Sequence, residues 1–545
     1  MMKKIVSLAV VALVMCSCAD SFLSEEPVGE FMPEQVESEE NIEGIVIGAY
    51  AVLDGYYASD AINSGCSNWQ FGDVVSDDAY KGGGGTGDQN QIHLMEIFNA
   101  NPTGIDFEAR WAALYEGVKR CNQAIRLLNN SAVKNKEQRL AEMRFLRGHY
   151  YFNLKVIYNL IPWIDETVVD PNEYHTKSNM EFTSDQLWEK ILGEFSAAYQ
   201  VLPESQSDYG RPTKMAAKAY MAKVYLYQSK WKECLSACDE VIQSGKYTLY
   251  PDFREVFLPE NDNNSEIIFA VQLSINDGAS SNQNGSYGDR LLPPGGPYPT
   301  YGFLRPTQNL VNAYKTNGNG LPYNDGKDVT ESDYVDVRLD HTLARPNIPF
   351  MDVQVYDWTP REASVYGPYS PKKRLVSLNS THYSPIWPYV NALNFYVIRY
   401  ADLLLWRAEA AIETGDLETG RKYINMIRER AKNTQHVKLW DDQSRDAANY
   451  KVEIYTEPFK SKDEAVQALR MERRLEMAHE GIRFFDLVRW GIADEVLNTY
   501  FEKEKTFRSH LQNARFVKGK HEYFPIPQSV IDICGAEVMK QNPGY

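Results

Sequence analysis

The chain has 545 residues, of which 43 % are hydrophobic and 24 % charged, which is typical of a globular protein with two or three domain-sized units. Its formal net charge is −17. This charge argues against nucleic acid as a partner, because such affinity comes from Lys and Arg on phosphates. The 35 Tyr residues suit contacts with sugars and proteins, because each combines an apolar ring with a polar tip.

Residues 1–17 have the pattern of a lipoprotein signal peptide. Lys3 and Lys4 form a basic start, and the apolar run 5–15 is too short to span a membrane as a helix. A small residue precedes Cys18, whereas a methionine precedes Cys16, so we predict cleavage before Cys18 and lipidation of its thiol. The alternative is plain cleavage with soluble release. A lipid on Cys18 would anchor the protein to a membrane surface, with 18–33 as a tether and 34–545 as one domain.

Residues 104–245 predict a first series of helices. Apolar residues recur at steps of three and four through 105–129 and 136–159, and again in 184–202 and 214–245. The second segment, for example, places Phe145, Leu146, Tyr150 and Leu154 on one face. Residues 267–273 are a short apolar run that predicts a strand.

Two other segments show little helical period. Residues 64–100 contain the run KGGGGTGD, which we interpret as a mobile loop, because no hydrophobic strand precedes its GxGxxG spacing. Residues 276–394 are rich in Gly, Pro, Asn, Tyr and Trp. A long irregular insertion between helices is usually functional or disordered, and its aromatic content favours a ligand surface here.

Helices are predicted to resume at residue 397 and to continue to about 496. Within 399–431 two short helices flank Gly415, and the offsets of Ala408, Gly420 and Ile424 match those of Ala222, Cys234 and Cys238. Two hairpins in one register indicate a tetratricopeptide-like repeat, in which stacked pairs bury a shared face. The alternative is a pair of unrelated amphipathic hairpins in an ordinary helical domain.

Two further clusters have a structural interpretation. Glu472 and Glu476 lie one helical turn apart beside arginines, a spacing typical of structural ion pairs. Cys234 and Cys238 are also one turn apart, but they occupy packing positions and no second His or Cys pair lies nearby. We therefore predict no metal site and no cofactor.

Six stretches in this order resemble the SusD/RagB family of outer-membrane glycan-binding lipoproteins of Bacteroidetes, almost from end to end. They are the lipobox with CADSFLSEEP, RWAALYEGVKRCNQAI at 110–125, AEMRFLRGHYYFNL at 141–154, IRYADLLLWRAEA at 398–410, ERRLEMAHEGIRFFDLVRWG at 472–491, and EYFPIPQSVI with the terminal QNPGY. The resemblance implies a mainly α fold: an α-α superhelix of four tetratricopeptide-like pairs with a large, irregular, loop-rich insertion.

The resemblance also implies a function without catalysis. The protein would sit on the outer membrane facing the cell exterior, capture an oligo- or polysaccharide, and deliver it to a SusC-type TonB-dependent transporter as its lid. Alternatives are a peptide-binding or scaffolding member of the same family, and, more distantly, a glycoside hydrolase with two carboxylates across a cleft. Sugar rings pack on aromatic side chains and their hydroxyls need polar partners. The candidates lie in the two irregular segments: Trp69, Asp73, Asp77, Tyr80, Tyr298, Tyr301, Arg305 and Trp358.

Overall fold

The structure is a computed structural model that describes residues 39–55, 61–299, 301–353 and 359–545. Contacts divide the chain into residues 1–44 and 45–545, and of the first unit only 39–44, the start of a helix, are described. The predicted signal peptide, the lipidation site Cys18, the tether 18–33 and the candidate Trp358 lie outside the described residues.

Helices dominate the described part of the chain, as the sequence predicts. In chain order they are α1 (Glu39–Tyr50), α2 (Ala61–Ser64), α3 (Asn90–Glu96), α4 (Ile105–Asn129), α5 (Lys136–Tyr158), α6 (Ser184–Val201), α7 (Lys214–Tyr227), α8 (Trp231–Gln243), α9 (Gln308–Ala313), α10 (Leu339–Thr342), α11 (Ala363–Tyr366), α12 (Tyr400–Glu413), α13 (Leu417–Asn433), α14 (Lys462–Met477), α15 (Arg483–Arg489), α16 (Ala493–Glu504) and α17 (Gln528–Cys534). A π-helical turn occupies Trp69–Val74.

The strands are short and form small sheets. They are β1 (Ala79–Gly82), β2 (Ile267–Val271), β3 (Phe303–Pro306), β4 (Lys315–Thr316), β5 (Tyr334–Val335), β6 (Leu343–Ala344), β7 (Ser370–Pro371), β8 (Phe395–Arg399) and β9 (Asn449–Tyr450). The pairs β1–β3, β2–β8, β4–β5 and β6–β7 are antiparallel, and β5–β9 is parallel. The predicted strand at 267–273 is therefore present. The prediction that a helix resumes at 397 is wrong, because 395–399 pair with β2 and α12 begins at Tyr400.

The two predicted repeat hairpins are α7–α8 and α12–α13. Consecutive helices pack from α4 to α8, α12 packs on α8, and α14 packs on both α12 and α13. The predicted seam residues Ala222, Cys234, Cys238, Ala408 and Ile424 are buried. A Cβ placed on Gly420 would collide with Ile412, which confirms that a small residue is needed where the two helices approach.

The irregular insertion is held to the helices by buried charges. Arg399 donates to Glu266 at 2.8 Å and to Glu476 at 2.6 Å, and Arg338 also donates to Glu476, at 3.0 Å. Burial alone would raise the pKa of Glu476, but the surrounding guanidinium groups hold it well below its ordinary range. The structural interpretation of Glu472 and Glu476 is confirmed, since Arg428 and Arg338 also pair with Glu472.

None of the described helices has both the length and the apolarity needed to cross a membrane. Within the same residues, no cluster of three or more His, Cys, Asp or Glu side chains is arranged to hold a metal ion. Cys121, Cys234 and Cys238 are free and buried.

Candidate functional site

The two segments predicted to face the ligand are joined in space by one strand pair. β1 lies in the first segment and β3 in the second, and Tyr80 stands opposite Arg305 in their antiparallel register. Ala79 of β1 and Phe303 of β3 belong to one apolar cluster, which also includes Trp69 and Leu292. More than 200 residues separate the two strands along the chain, so no local pattern in the sequence could have predicted this pairing.

Six of the eight candidate residues are buried, each at most 2 % exposed. They are Trp69, Asp73, Asp77, Tyr80, Tyr298 and Arg305. A buried side chain offers no surface to an external glycan, so the prediction of direct ligand contact is corrected for all of them except Asp77, which borders a cleft. Aromatic content indicates a ligand surface, but large aromatic rings also bury much apolar area in a folded chain, so composition does not distinguish the two roles.

The buried candidates instead support the loops above them. Arg305 donates to the carbonyl oxygens of Arg361 (2.9 Å), Gly367 and Tyr369, so one guanidinium fixes the path of 361–369. Nε1 of Trp69 donates to the carbonyl of Gly288 at 3.3 Å. These side chains set the position of residues that do reach the surface.

The remaining buried candidates have similar structural partners. The Tyr80 hydroxyl donates to Glu504, and burial raises the pKa of Tyr80. The Tyr298 hydroxyl donates to the carbonyl of Val376 at 3.1 Å. This hydrogen bond therefore joins two parts of the insertion within its core.

The two candidate carboxylates differ in their environment. Asp73 accepts a hydrogen bond from the amide of Gly481 at 2.9 Å, and burial raises its pKa. Burial also opposes the charge of Asp77, but Arg474 and Arg483 lower the pKa of this carboxyl well below its ordinary value. Asp77 is therefore ionised within an internal ion pair, while Asp73 favours its neutral form.

The glycine run forms an ordered surface loop, which we call the glycine loop and define as residues 82–88. Nζ of the buried Lys81 donates to the carbonyl oxygens of Gly82 (2.8 Å), Gly85 (2.9 Å) and Asp88 (2.6 Å). Burial lowers the pKa of Lys81 to about 8. The prediction of a mobile loop is corrected, because the chain wraps around a cation that satisfies three of its carbonyl groups.

Asp88 at the end of this loop lies beside Arg361, and Tyr301 directly precedes Gly302, whose backbone is next to Arg361; we call Arg361, Tyr301 and Asp88 the ligand patch. A Cβ on Gly84 would collide with the Arg361 guanidinium, and one on Gly302 would lie 3.5 Å from Cβ of Arg361. Nη1 of Arg361 lies 3.3 Å from Oδ2 of Asp88, and their side chains are 46 % and 31 % exposed. The half-buried Tyr301 packs on the cluster beneath.

The ligand patch has unused hydrogen-bonding capacity. Oδ2 of Asp88 accepts from the amide of Gly84 at 2.8 Å. Among the described residues, Oδ1 of Asp88 accepts no hydrogen bond, and Nε and Nη2 of Arg361 donate none. An open donor and an open acceptor beside an aromatic ring match the hydroxyl groups and the apolar face of a sugar.

A second exposed aromatic in the insertion is Trp387, which is 54 % exposed. It projects from a hairpin closed by hydrogen bonds from Ser384 N to Val390 O (2.9 Å) and from Tyr389 N to Ile386 O (2.8 Å). Tyr383 at the base packs edge-on against Tyr298, with 6.0 Å between ring centroids. These contacts fix the backbone of the hairpin that carries Trp387.

Sequence reasoning missed Asp88, Arg361 and Trp387. Asp88 ends the glycine run, and an acid there signals a carboxylate held by backbone amides. Arg361 and Trp387 each adjoin a proline in a turn-rich stretch, which favours exposure, but the sequence does not show what lies beside them. The remaining candidate, Trp358, precedes Arg361 by three positions in the sequence and stays a prediction.

Two family models match this sequence. The sequence model of the SusD family matches residues 265–545, more than half of the chain. A second family model, described as starch-binding and associating with the outer membrane, matches residues 21–226. Among curated proteins, SusD-like protein P25 of Formosa agariphila is 23 % identical over 95 % of this chain and 94 % of its own length. A SusD-like protein of Bacteroides ovatus is also 23 % identical, over 100 % of this chain and 95 % of its own.

Solved structures share the fold. Surface glycan-binding protein A of Bacteroides fluxus superposes with a TM-score of 0.70 at 24 % identity, over 93 % of this chain and 100 % of its own. Surface glycan-binding protein A of Bacteroides thetaiotaomicron, solved in complex with laminarihexaose, gives 0.69 at 23 % identity, over 92 % and 99 %. These likenesses confirm the mainly α, tetratricopeptide-like fold. The family match over half the sequence goes further: this chain belongs to the SusD family.

Proposed function

We propose that this protein is a surface glycan-binding lipoprotein, and that the ligand patch holds the glycan. The observation that carries the proposal is the exposed Arg361–Asp88 pair beside Tyr301. One side of the pair donates, the other accepts, and both retain unused atoms. A pyranose ring offers adjacent hydroxyls to such a pair and an apolar face to a tyrosine.

The relatives support the ligand class. The laminarihexaose complex of the B. thetaiotaomicron protein concerns an oligosaccharide, and the model that matches residues 21–226 is described as starch-binding. Neutral glycans also suit this chain, whose net charge of −17 disfavours anionic ones.

The test is a binding panel with matched variants. We would titrate the protein from residue 20 onward with laminarin, laminarihexaose, amylopectin and maltohexaose, using affinity electrophoresis and calorimetry. Arg361→Ala or Tyr301→Ala is expected to weaken binding at least about tenfold, because each removes a central contact. Trp387→Ala and Trp358→Ala show whether the site extends beyond the ligand patch.

Controls separate loss of contact from loss of structure. Trp440 is 44 % exposed on a hairpin at 437–447, so Trp440→Ala matches Trp387→Ala. Arg445 is an exposed arginine on the same hairpin, so Arg445→Ala matches Arg361→Ala. Wild-type binding that neither patch variant weakens would refute the site. Binding to peptides but to no glycan would support the peptide-binding alternative, and release of shorter sugars would identify a hydrolase.

We further propose that the protein is anchored through Cys18 to the outer membrane, faces the exterior and covers a SusC-type TonB-dependent transporter as a lid. The lipobox and the family model described as associating with the outer membrane support this placement. Cys18→Ser is expected to release the protein from membranes, and the lipidated protein is expected to co-purify with a transporter. Membrane association that persists in Cys18→Ser would refute the anchor.

A further inference from the structure

A cleft of about 730 Å³ lies apart from the ligand patch. Residues of α14 and α16 line one side, and residues of α9 and the loop 322–326 line the other. Neither Tyr301, Arg361 nor Asp88 is among its lining residues. Its volume falls within the range of roughly 300–1,000 Å³ that small-molecule sites occupy.

The charges that line the cleft cancel. Three carboxylates, Asp77, Glu464 and Glu495, face three cations, Arg474, Arg483 and Lys503. Two of the cations are already paired, because Arg483 donates to Asp77 at 2.8 Å and Arg474 donates to Asp78 at 2.7 Å. In a chain with a net charge of −17, such local balance favours a neutral ligand over an ionic one.

Neutral polar groups project from the helical wall. Gln467 on α14 and Thr499 and Tyr500 on α16 line the cleft, and their side chains make no hydrogen bond to any described residue. Glu464, Gln467 and Arg474 are spaced at three and seven residues, so they share one face of α14. The helical wall therefore combines hydrogen-bonded charges, at Glu464 and Arg474, with the neutral polar side chains of Gln467 and Thr499.

Aromatic side chains complete the cleft. The Tyr455 ring lies 5.1 Å from the Arg428 guanidinium and 5.3 Å from the Phe459 ring, so its orientation is fixed from two sides. Tyr323, which is 47 % exposed, lies in the loop across from the helices. Aromatic faces opposite unpaired amide and hydroxyl groups match the two surfaces of a sugar.

We propose that this cleft is a second carbohydrate-binding site, which takes a short, neutral oligosaccharide. The inference rests on the proposed function, because it assigns the cleft to the same class of ligand as the ligand patch. Two separate sites would hold two stretches of one long polysaccharide, and the second contact would be intramolecular and raise the overall affinity.

The test isolates the cleft in a protein whose ligand patch is disabled. The background is the double variant Tyr301→Ala, Arg361→Ala, and the probes are laminarihexaose, maltohexaose and cellohexaose, with laminarin and amylopectin as polymers. Calorimetry is expected to show residual hexasaccharide binding in this background. Adding Tyr323→Ala or Gln467→Ala should weaken that binding about fivefold or more, because one ring face or one amide is lost.

The control is Tyr334→Ala, since Tyr334 is 43 % exposed on β5 and does not line the cleft. Hydrogen exchange gives a second measurement: the hexasaccharide should protect amides at 322–326 and 455–459. The second site would be overturned, and the proposed function would stand, if three results came together. The double variant Tyr301→Ala, Arg361→Ala would bind no hexasaccharide, Tyr323→Ala alone would bind glycans like the wild type, and the hexasaccharide would not protect the amides at 322–326 and 455–459. A wild-type protein that binds none of the glycans would overturn both. Binding of neutral casein peptides that Tyr323→Ala abolishes would assign the cleft to peptides instead.

Discussion

The helical scaffold and the irregular insertion are held together by different kinds of contact. In α7–α8 and α12–α13 the buried seam residues, such as Ala222, Cys234, Ala408 and Ile424, repeat at fixed short spacing. In the two irregular segments, polar contacts join distant parts of the chain: Tyr80 in 64–100 bonds Glu504, 424 residues away, and Arg338 in 276–394 bonds Glu476, 138 residues away. The repeat register is therefore set by local spacing, whereas the irregular segments are positioned by long-range polar contacts.

This difference leads to distinct expectations for mutations. Removing one buried charge should damage the junction between scaffold and insertion more than enlarging one residue damages the scaffold. Removing an exposed patch residue should leave stability intact and change binding alone.

The largest effect is expected at Glu476. In Glu476→Gln, the buried guanidinium groups of Arg338, Arg399 and Arg430 lose a shared anion. An unpaired buried charge costs about 3–5 kcal/mol of unfolding free energy. Urea denaturation followed by circular dichroism would measure it. Glu418→Gln, in an exposed pair, is the control and should leave the midpoint unchanged; equal midpoints for both variants would contradict the role of the buried pairs.

The next effect is expected at Arg305. Arg305→Met keeps the bulk of the stem but leaves three carbonyl groups, of which that of Gly367 is in a buried residue, without their donor, which costs about 3 kcal/mol. Because the loop 361–369 then loses its support, glycan affinity should fall as well. Thermal denaturation and calorimetry on the same sample would measure both. A variant with lower stability and unchanged affinity would show that Arg305 does not position the ligand patch.

A smaller effect is expected within the scaffold at Gly420. The new methyl group of Gly420→Ala would collide with Ile412, and overpacking of this kind costs about 2 kcal/mol. The matched variant is Gly193→Ala in α6, where a Cβ would meet no described atom within 4 Å. Gly193→Ala should stabilise the protein slightly, because alanine favours a helix. Equal urea midpoints for the two variants would contradict the claim that the close approach of α12 and α13 requires a glycine at position 420.

The smallest effect is a pH dependence beneath the ligand patch. Burial alone would raise the pKa of Glu96, but His510 and His93 lower it to about 2, below the ordinary 4.5. A depressed carboxyl pKa stabilises the folded state fully above the unfolded value and loses that contribution as the pH falls through the folded value. Glu96→Gln should therefore be most destabilising above pH 4.5, with a difference from wild type that shrinks towards pH 2. Urea midpoints between pH 6 and 3.5 would measure it, and a difference independent of pH would contradict the assignment.

The sequence predicted the parts of the fold that depend on local spacing. The repeat register through Ala408, Gly420 and Ile424 and the strand at 267–271 are present, because hydrophobic period reports directly on burial. The strand at 395–399 was missed, since its apolar residues continue into the helix that begins at Tyr400 and only its pairing with β2 distinguishes it.

The candidate site was predicted at the level of segments but not of side chains. Trp69, Tyr80 and Arg305 belong to the same segments as the proposed ligand patch, yet they are buried, while the side chains of Asp88 and Arg361 are partly exposed. Composition does not distinguish Arg305, which is buried and donates to carbonyl groups, from Arg361, which is exposed at the proposed site. That distinction arises only when β1 pairs with β3.

The most direct test of the proposal that the ligand patch holds the glycan is a crystal structure with an oligosaccharide that the wild-type protein retains. We expect a sugar ring on Tyr301, with hydroxyl groups within hydrogen-bonding distance of Arg361 and Asp88. A ligand bound only on the helices α4–α8, with the ligand patch empty, would contradict it.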